Sequence, residues 1–490
     1  MTFQTRITKA LANETLQIAL DRNAERRLQG RDQAFGGLPD AEAVRDRGRA
    51  IRIETLAHLD RYLEQFADNV ERNGGHVHWA ATAAEAREVI LRLARESAAR
   101  RPAGQQGPPI VAKGKTMVSE EIELNHALEA AGMRAIETDL GEFIVQLRGE
   151  TPSHLITPAV HLRREDVSEL FQERFGMTPT LDVAQMTAVA RTELRRAFFT
   201  ADLGLSGANF GVAETGTITL VTNEGNGRLC TSVPRVHVAL MGIERLVPTL
   251  ADLEVMLRLL PRSATAQKLT SYVSLLTGPR RLGEPDGPEE LHVVLLDNGR
   301  SRALGSELAE SLMCIRCGAC LNVCPVFREI GGHAYGAVYG GPIGSVVSTA
   351  LFGTEFNELA NASTLCGACR DVCPVRIDIP TMLLAVRSRY VESGQAPTWL
   401  RFGIRAWAWA MAGPGRYRLA QRAAAFGTRL LARDGRVRAL PPPLDGWTRR
   451  RDFPVFAGST FHDRWRSRSK QHKGQATPAR ETPGPPTGKP

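Results

Sequence analysis

A chain of 490 residues is too long for a single hydrophobic core; 43% hydrophobic and 23% charged residues describe ordinary folded protein of roughly three domains. No apolar run approaches the roughly 18 residues of a membrane span, and the N-terminus MTFQTRITKALANETLQIALDR lacks the apolar segment of a secretory leader, so the expected compartment is the cytoplasm. The net charge of +9 is uneven: residues 401–440 hold Arg401, Arg405, Arg416, Arg418, Arg422, Arg429, Arg433, Arg436 and Arg438 against Asp434, which marks a local surface, and no aromatic–basic interleaving supports a nucleic-acid partner.

In chain order, residues 1–50 read as a charged helical arm broken at Gly36 to Pro39. From Ile51 a helix places Leu56, Leu59, Leu63 and Phe66 at helical spacing and stops at Gly74. VHWA then reads as a short strand and TAAEAREVILRLARESAA as a helix entered at Thr82. The stretch PPIVAKGKTMVSEEIELNHALEAAGM predicts a strand, a polar turn and a helix capped at Ser119, with Glu120 and Glu121 in its first turn. RAIETDLGEFIVQL reads as extended, and REDVSELFQERFG as a helix ending at Gly176.

Residues 207–230, GANFGVAETGTITLVTNEGNGRLC, are glycine-dense, with strands at FGVAE and TITLVTN and turn residues at Glu224 to Gly227. They form either a hairpin with an exposed tip or a loop brought near a ligand by Glu214 and Glu224; neither G-x-G-x-x-G nor a Walker lysine is present. VHVALMG is a buried strand, TLADLEVMLRLL a helix opened by Thr249 and Asp252, and LHVVLLDNG a last apolar strand. Such alternation predicts an α/β domain over 51–300 with a mostly parallel, covered sheet.

Seven of the eight cysteines follow in two short runs. LMCIRCGACLNVCP places Cys314, Cys317, Cys320 and Cys324 at C-x2-C-x2-C-x3-C-P spacing, which wraps backbone around a [4Fe-4S] cube; Cys366, Cys369 and Cys373 with Pro374 form a second run. Zinc knuckles, built from C-x2-4-C pairs or Cys/His sets of four, fit this spacing poorly. In two-cluster ferredoxins the fourth cysteine of each run ligates the other cube. Carried over, Cys314, Cys317, Cys320 and Cys373 hold one cluster, and Cys324, Cys366 and Cys369 the other. The second set is one thiolate short, because Ser363 stands three before Cys366. A hydroxyl, a water or a partner's ligand completes it, or Cys230 reaches in, or the cluster is smaller.

Between the runs lies a glycine-rich excursion with a helix from Gly344. After Pro374, VRIDIPTMLLAVRSRYVESG reads as a docking helix leaving an α-helical, ferredoxin-type domain over 301–395. Residues 396–470 form a basic helical region, in which 399–440 either packs as a helix pair, meets an acidic partner, or touches the cytoplasmic face of the inner membrane peripherally. The tail 471–490, rich in Pro, Gly and Thr, is expected to be disordered.

The segments KTMVSEEIELNHALEAAG, ETDLGEFIVQL, PSHLITPAVH, NFGVAETGTITLVTNEGN and VHVALMGIERLVPTLADL resemble the LUD domain, and the cysteine runs follow it as in the lactate utilization protein B family, through to FPVFAGSTFHDRW. In that family the second run likewise lacks its first cysteine. The resemblance implies two [4Fe-4S] clusters and a fold related to the CoA-transferase and sugar-phosphate isomerase group. It also implies an iron–sulfur subunit that acts with companion proteins in oxidising L-lactate to pyruvate, its electron acceptor unknown. No flavin or nicotinamide fingerprint is visible. His154 and His161 are candidate bases by residue type, and Lys113 and Lys115 candidate carboxylate partners. Alternatives are the iron–sulfur subunit of another respiratory 2-hydroxy-acid dehydrogenase, and a cluster-based redox sensor.

Overall fold

Side-chain caps start the first two helices: Thr2 accepts from Thr5 N–H ahead of α1 (Phe3–Leu11), and Asn13 from Leu16 N–H ahead of α2 (Glu14–Gly36). The structure is a computed structural model that describes residues 1–101, 107–442, 444–448 and 451–474, and it divides into two units, Met1–Glu392 and Ser393–Pro490. The helix expected from Ile51 begins earlier, as α3 (Ala41–Ala57), and breaks at His58 before α4 (Leu59–Arg72). The break lets Ile51 and Leu56 on one segment, and Leu59, Leu63 and Phe66 on the next, all turn inward.

The α/β part follows as β1 (His76–Ala80), α5 (Ala83–Ala99), β2 (Ile110–Lys113), α6 (Met117–Glu121), α7 (Leu124–Ala130), β3 (Arg134–Glu137), α8 (Leu140–Leu147), α9 (Arg164–Phe175), α10 (Val183–Thr200) and β4 (Leu203–Gly207). Two local expectations are corrected. The cap expected at Ser119 is Thr116; Ser119 lies buried inside α6, donating to the Thr116 carbonyl at 2.8 Å, because Glu121 turns inward to Arg300. RAIETDLGEFIVQL is extended only through β3. Asp139 then accepts from Gly141 and Glu142 N–H and starts α8, whose Phe143, Ile144 and Val145 are buried.

The glycine-dense stretch forms an antiparallel hairpin of β5 (Phe210–Val212) and β6 (Thr217–Thr222), followed by α11 (Asn226–Ser232). Its tip packs on α4, where Asn69 donates to the Ala213 and Glu214 carbonyls at 2.8 and 3.0 Å. Next come β7 (Val236–Gly242), β8 (Leu246–Val247), α12 (Leu250–Thr265), β9 (Tyr272–Leu276) and β10 (Glu290–Leu296).

One sheet, ordered β1-β10-β7-β4-β2-β3, is parallel throughout; a second, β8-β5-β6-β9, contains the hairpin. Helices α5 and α7 cover one face of the parallel sheet through Ile90, Leu93, Leu124 and Leu128. On the other face, α8 to α10 pack over Ala112, while the second sheet, α3, α4 and α12 pack under β7 and β10. Both faces of the central strands are thereby dry, which is why β4, β7 and β10 read as apolar runs, while the edge strands β1 and β3 carry exposed residues. Chain order reverses beside β2, so the carboxyl ends of β2 and β4 frame the crevice where ligands of such sheets gather.

After α13 (Arg300–Leu304) come the cysteine turns, with α14 (Ala319–Val323), α15 (Pro325–Ile330), α16 (Gly341–Phe352), α17 (Ala368–Asp371) and α18 (Ile379–Glu392). Helix α16 begins at Gly341, ahead of the expected Gly344. Helix α18 does not leave this region: Ile379, Met382, Leu383 and Val386 are buried in the core that also holds α16. In the second unit α19 (Thr398–Met411) and α20 (Pro414–Leu431) pair, a two-residue ribbon joins Arg436–Val437 to Phe453–Pro454, and α21 spans Phe461–Gly474. Within the expected tail, α21 reaches Gly474, and 475–490 lie outside the described residues. Among the described residues no helix is long and apolar enough to cross a membrane.

Candidate iron-sulfur centre

Cysteines distant in sequence meet in the first turn. Cys314, Cys317, Cys320 and Cys373 line one small cavity with Ile315, Ile343 and Val375, and the last three thiols are buried. Burial pushes the Cys317 thiol up to about 12, with Cys373 and Cys314 adding to the effect. The other three thiols form their own group: Cys369 is shifted upward by burial and then by Cys324 and Cys366, and Cys324 by burial and then in part by Cys366. Cys366 is exposed. Chain folding thus gathers Cys314, Cys317, Cys320 and Cys373 at one cavity and leaves Cys324, Cys366 and Cys369 within electrostatic reach of one another.

Both turns repeat one backbone. Arg316 and Gly318 have φ of 59° and 72°, and the residues in register, Leu365 and Gly367, have φ of 55° and 87°. A non-glycine residue in this region is uncommon, so the recurrence at Arg316 and Leu365 marks a shared constraint. The bonds Leu321 N–H to Gly318 O (3.1 Å) and Cys324 N–H to Leu321 O (3.3 Å) recur as Arg370 to Gly367 (2.9 Å) and Cys373 to Arg370 (3.2 Å). Among the described residues no three His, Cys, Asp or Glu side chains close on a single metal ion. The thiolates of a cube each take a different iron of a larger body, and that is what two separate sets on matching turns suit.

Guanidinium groups from several elements surround the pocket of Cys314, Cys317, Cys320 and Cys373, meeting backbone of both runs. Arg45 donates to the Asp371 and Cys373 carbonyls at 2.6 and 2.8 Å, Arg31 to Val372 O at 2.9 Å, Arg52 to Leu312 O at 3.1 Å, and Arg245 to Cys314 O at 2.9 Å. Arg316 lies 4.2 Å over the Tyr339 ring. Several donors here have no protein acceptor: Nε of Arg31, Arg45 and Arg52, Nη1 of Arg316, Oγ of Ser311 and the Tyr335 hydroxyl, which lies within electrostatic reach of Cys324 and Cys320. Buried donors without acceptors are costly. An anionic, sulfide-rich cluster would offer acceptors in this region, so the residues present fit the group.

A buried ion network ties this turn to the sheet. Arg300, after β10, donates to Glu121 at 2.8 Å through two nitrogens and to Glu244 at 2.5 Å; Tyr339 donates to Glu121 at 2.6 Å, and Arg316 stands 3.7 Å from Glu244. Burial alone would raise the Glu244 carboxyl, but Arg300, Arg316 and Arg245 hold it at about 2. The loop 153–157 makes a second tie. A Cβ on Gly332 would lie 1.9 Å from the Ser153 carbonyl, so only glycine permits that approach.

The remaining residues singled out in the sequence divide differently. Cys230 is fully buried beside Thr138 (3.2 Å) in the core under α8 to α10, not with the other thiols, and burial pushes it up to about 12. His154 accepts from Ile156 N–H at 3.0 Å on Nδ1, which leaves Nε2–H to donate to Asn322 Oδ1 at 3.1 Å; burial lowers it to about 3. It is a structural brace between the 153–157 loop and the first cysteine run. His161 pairs with Glu150 at 2.7 Å. Lys113 is enclosed by Glu120 (2.6 Å) and Glu137, and Lys115 donates to Ile156 O at 3.2 Å. Glu214 accepts from Leu250 N–H at 3.1 Å. Glu224 accepts from Leu140 N–H at 3.2 Å and lines a groove of about 960 Å³ together with Asp139, Arg22 and Arg26. The arginines and Tyr335 were not foreseen; their signal, arginines spaced along α2 and α3, reads as solvent-facing charge until the fold brings the cysteines beneath it.

A parallel α/β domain joined by buried ion pairs to the first of two matching cysteine turns defines an iron–sulfur protein with a covered sheet as its platform. Matching families divide the chain along the same lines: the LUD domain at residues 63–296, a 4Fe-4S dicluster domain at 310–377, and the family described as lactate utilisation protein B, C-terminal, at 391–470. A Lactate utilization protein B from Bacillus licheniformis is 42% identical over 476 residues, covering 96% of this chain and 98% of the relative. One from Geobacillus kaustophilus is 44% identical over 471 residues, covering 96% and 97%. The chain belongs to the lactate utilization protein B family. Among solved structures, a DUF162 family protein from Deinococcus radiodurans aligns at 16% identity and a TM-score of 0.25, over 49% of this chain and 98% of that one.

Proposed function

We propose that this chain is the iron–sulfur electron-transfer subunit of a complex that oxidises L-lactate to pyruvate, carrying two [4Fe-4S] clusters. The observation that carries the reading is the sorting of seven thiols into two sets: Cys314, Cys317, Cys320 and Cys373 would hold the first cluster, and Cys324, Cys366 and Cys369 the second. When bound, such clusters take up single electrons, and a pair can divide the two electrons removed from a 2-hydroxy acid. The protein's own part is to hold the thiolates and surround the first set with fixed positive charge. The second set lies close enough to the surface for exchange with a partner.

His154 and His161 are engaged in structural bonds, so removal of the lactate hydroxyl proton falls to a companion subunit in this reading. We relate the α/β part, read as 51–300, to the CoA-transferase and sugar-phosphate isomerase group; its covered parallel sheet supports that reading. Companion subunits in the cytoplasm are the partners it calls for. Residues 399–440, with Trp399, Phe402, Trp407 and Trp409 exposed among arginines, are offered as a docking or peripheral membrane surface. The test is anaerobic iron and sulfide quantification with EPR of the reduced protein, with and without L-lactate and the companion proteins. Two interacting cubes that lactate reduces only in the assembled complex are expected; two cubes that lactate never reduces would overturn the substrate and leave the centres standing.

A further inference from the structure

We propose that Ser363 Oγ is the fourth ligand of the second centre, an oxygen occupying the position that Cys314 Sγ holds in the first. The inference rests on the two-cluster reading above and answers what that reading leaves open. Superimposing the turns by register sets Cys314, Cys317 and Cys320 against Ser363, Cys366 and Cys369. The left-handed residues fall at the same two places in both, as do the backbone bonds that follow them. A second run that had lost its first ligand position would be free to relax at Leu365, a branched residue for which φ of 55° is unfavourable.

The bond at the ligand position itself is also repeated. In the first turn Arg316 N–H donates to Cys314 Sγ at 3.4 Å; in the second, Leu365 N–H donates to Ser363 Oγ at 3.2 Å. The serine oxygen therefore holds the same place relative to its turn as the thiol does. Its backbone is anchored independently: Arg387, on α18, donates to the Ser363 carbonyl at 2.6 Å and to the Ala360 carbonyl at 3.0 Å. Cys230, the remaining thiol, lies in a different core, and a water or a partner's group would require neither the repeated turn nor the clamp. On ligation an Oγ–Fe bond forms and the Oγ–H bond breaks, the proton leaving to water at the exposed Cys366 side, with no change in oxidation state. An N–H donor on the ligating oxygen stabilises the resulting alkoxide.

The experiment uses the full chain, loaded anaerobically, in four forms: wild type, Ser363→Ala, Ser363→Thr and Ser363→Cys. Cubes with an iron lacking a protein ligand shed it on mild oxidation and show a three-iron EPR signal. Wild type and Ser363→Thr are expected to resist ferricyanide, Ser363→Ala to develop that signal with loss of about one iron per chain, and Ser363→Cys to keep its iron and shift the potential of one centre only. Ser363→Ala matching wild type in iron content, signal and potential overturns the proposal, as does wild type that develops the three-iron signal as readily as Ser363→Ala. Cys366→Ala separates the two levels. If iron and sulfide are unchanged in that variant, the second centre is absent and the two-cluster reading falls, taking the ligand with it; if about half the iron is lost, the centre stands and the serine variants decide its ligand.

Discussion

Around the pocket of Cys314, Cys317, Cys320 and Cys373 stand the guanidinium groups of Arg31, Arg45, Arg52, Arg245 and Arg316; beside the second turn, bent in the same way at Leu365 and Gly367, Cys366 is at the surface, with Asp371 for a neighbour and Arg387 on the Ser363 carbonyl. One backbone design therefore sits in two electrostatic settings. Fixed positive charge favours the more negative, reduced form of a bound cluster, whereas a nearby carboxylate opposes it. Exposure at Cys366 works the other way, since water also stabilises added charge. Cys324 and Cys369 remain buried, however, so that contribution is partial and the arginines are expected to prevail.

The most severe way to break this comparison is Cys317→Ala. It should remove the first centre and about half the iron, while an EPR signal from the second survives; unchanged iron would refute the ligand assignment. Next comes Arg300→Ala, which leaves Glu121 buried without its cation and takes from Glu244 its closest one, and should cost about 3–5 kcal/mol, read as a lowered thermal midpoint. Because this network supports only the first turn, iron bound by the second should be lost last on heating that variant. The reverse order would show that the two turns unfold as one.

A finer test replaces charge without removing ligands. Redox titration followed by EPR should find the first centre at the higher potential, and Arg45→Gln or Arg316→Gln should lower it toward the second with iron content unchanged. Equal potentials in the native chain would show that exposure and guanidinium charge cancel. Acid provides another handle. His154 is held near 3, below its usual 6.5, so the unfolded chain binds more protons between those values. Its contribution to stability is complete above about 6.5 and is lost as pH falls toward 3; His154→Gln should flatten that part of a stability–pH curve. The smallest effect belongs to Cys230→Ser, expected to leave iron and sulfide as they are.

Spacing made the matching turns legible because three cysteines two residues apart leave few arrangements open to the chain. Caps such as Thr82 and Thr249, which accept from Glu85 and Asp252 N–H, were legible because their geometry closes within four residues. Where a distant partner intervened, local reading failed. Glu121 looks like a helix-dipole carboxylate until Arg300 arrives from beyond β10 and draws it inside, with the cap of α6 at Thr116. In LGEFIVQL the apolar run masked Asp139 as a helix start, since buried strands and buried helices share composition. The arginines of α2 and α3 are the extreme case: nothing within thirty residues of Arg45 says that it will meet the carbonyl of Cys373.

Cys373 closes the first pocket although it belongs to the second run. The ring so formed takes in the glycine-rich excursion, α16 and the stretch ahead of Ser363, and its closure waits until ribosomal synthesis has passed Pro374. In the two-cluster reading, a nascent chain can present three thiolates early, but it cannot finish either centre before the second run is in place. Joining those ends removes conformational freedom from the unfolded chain, and more for a long ring than a short one. Because the cysteine turns share one hydrophobic core with the second sheet, metal insertion in that reading would complete the packing of α14 to α18.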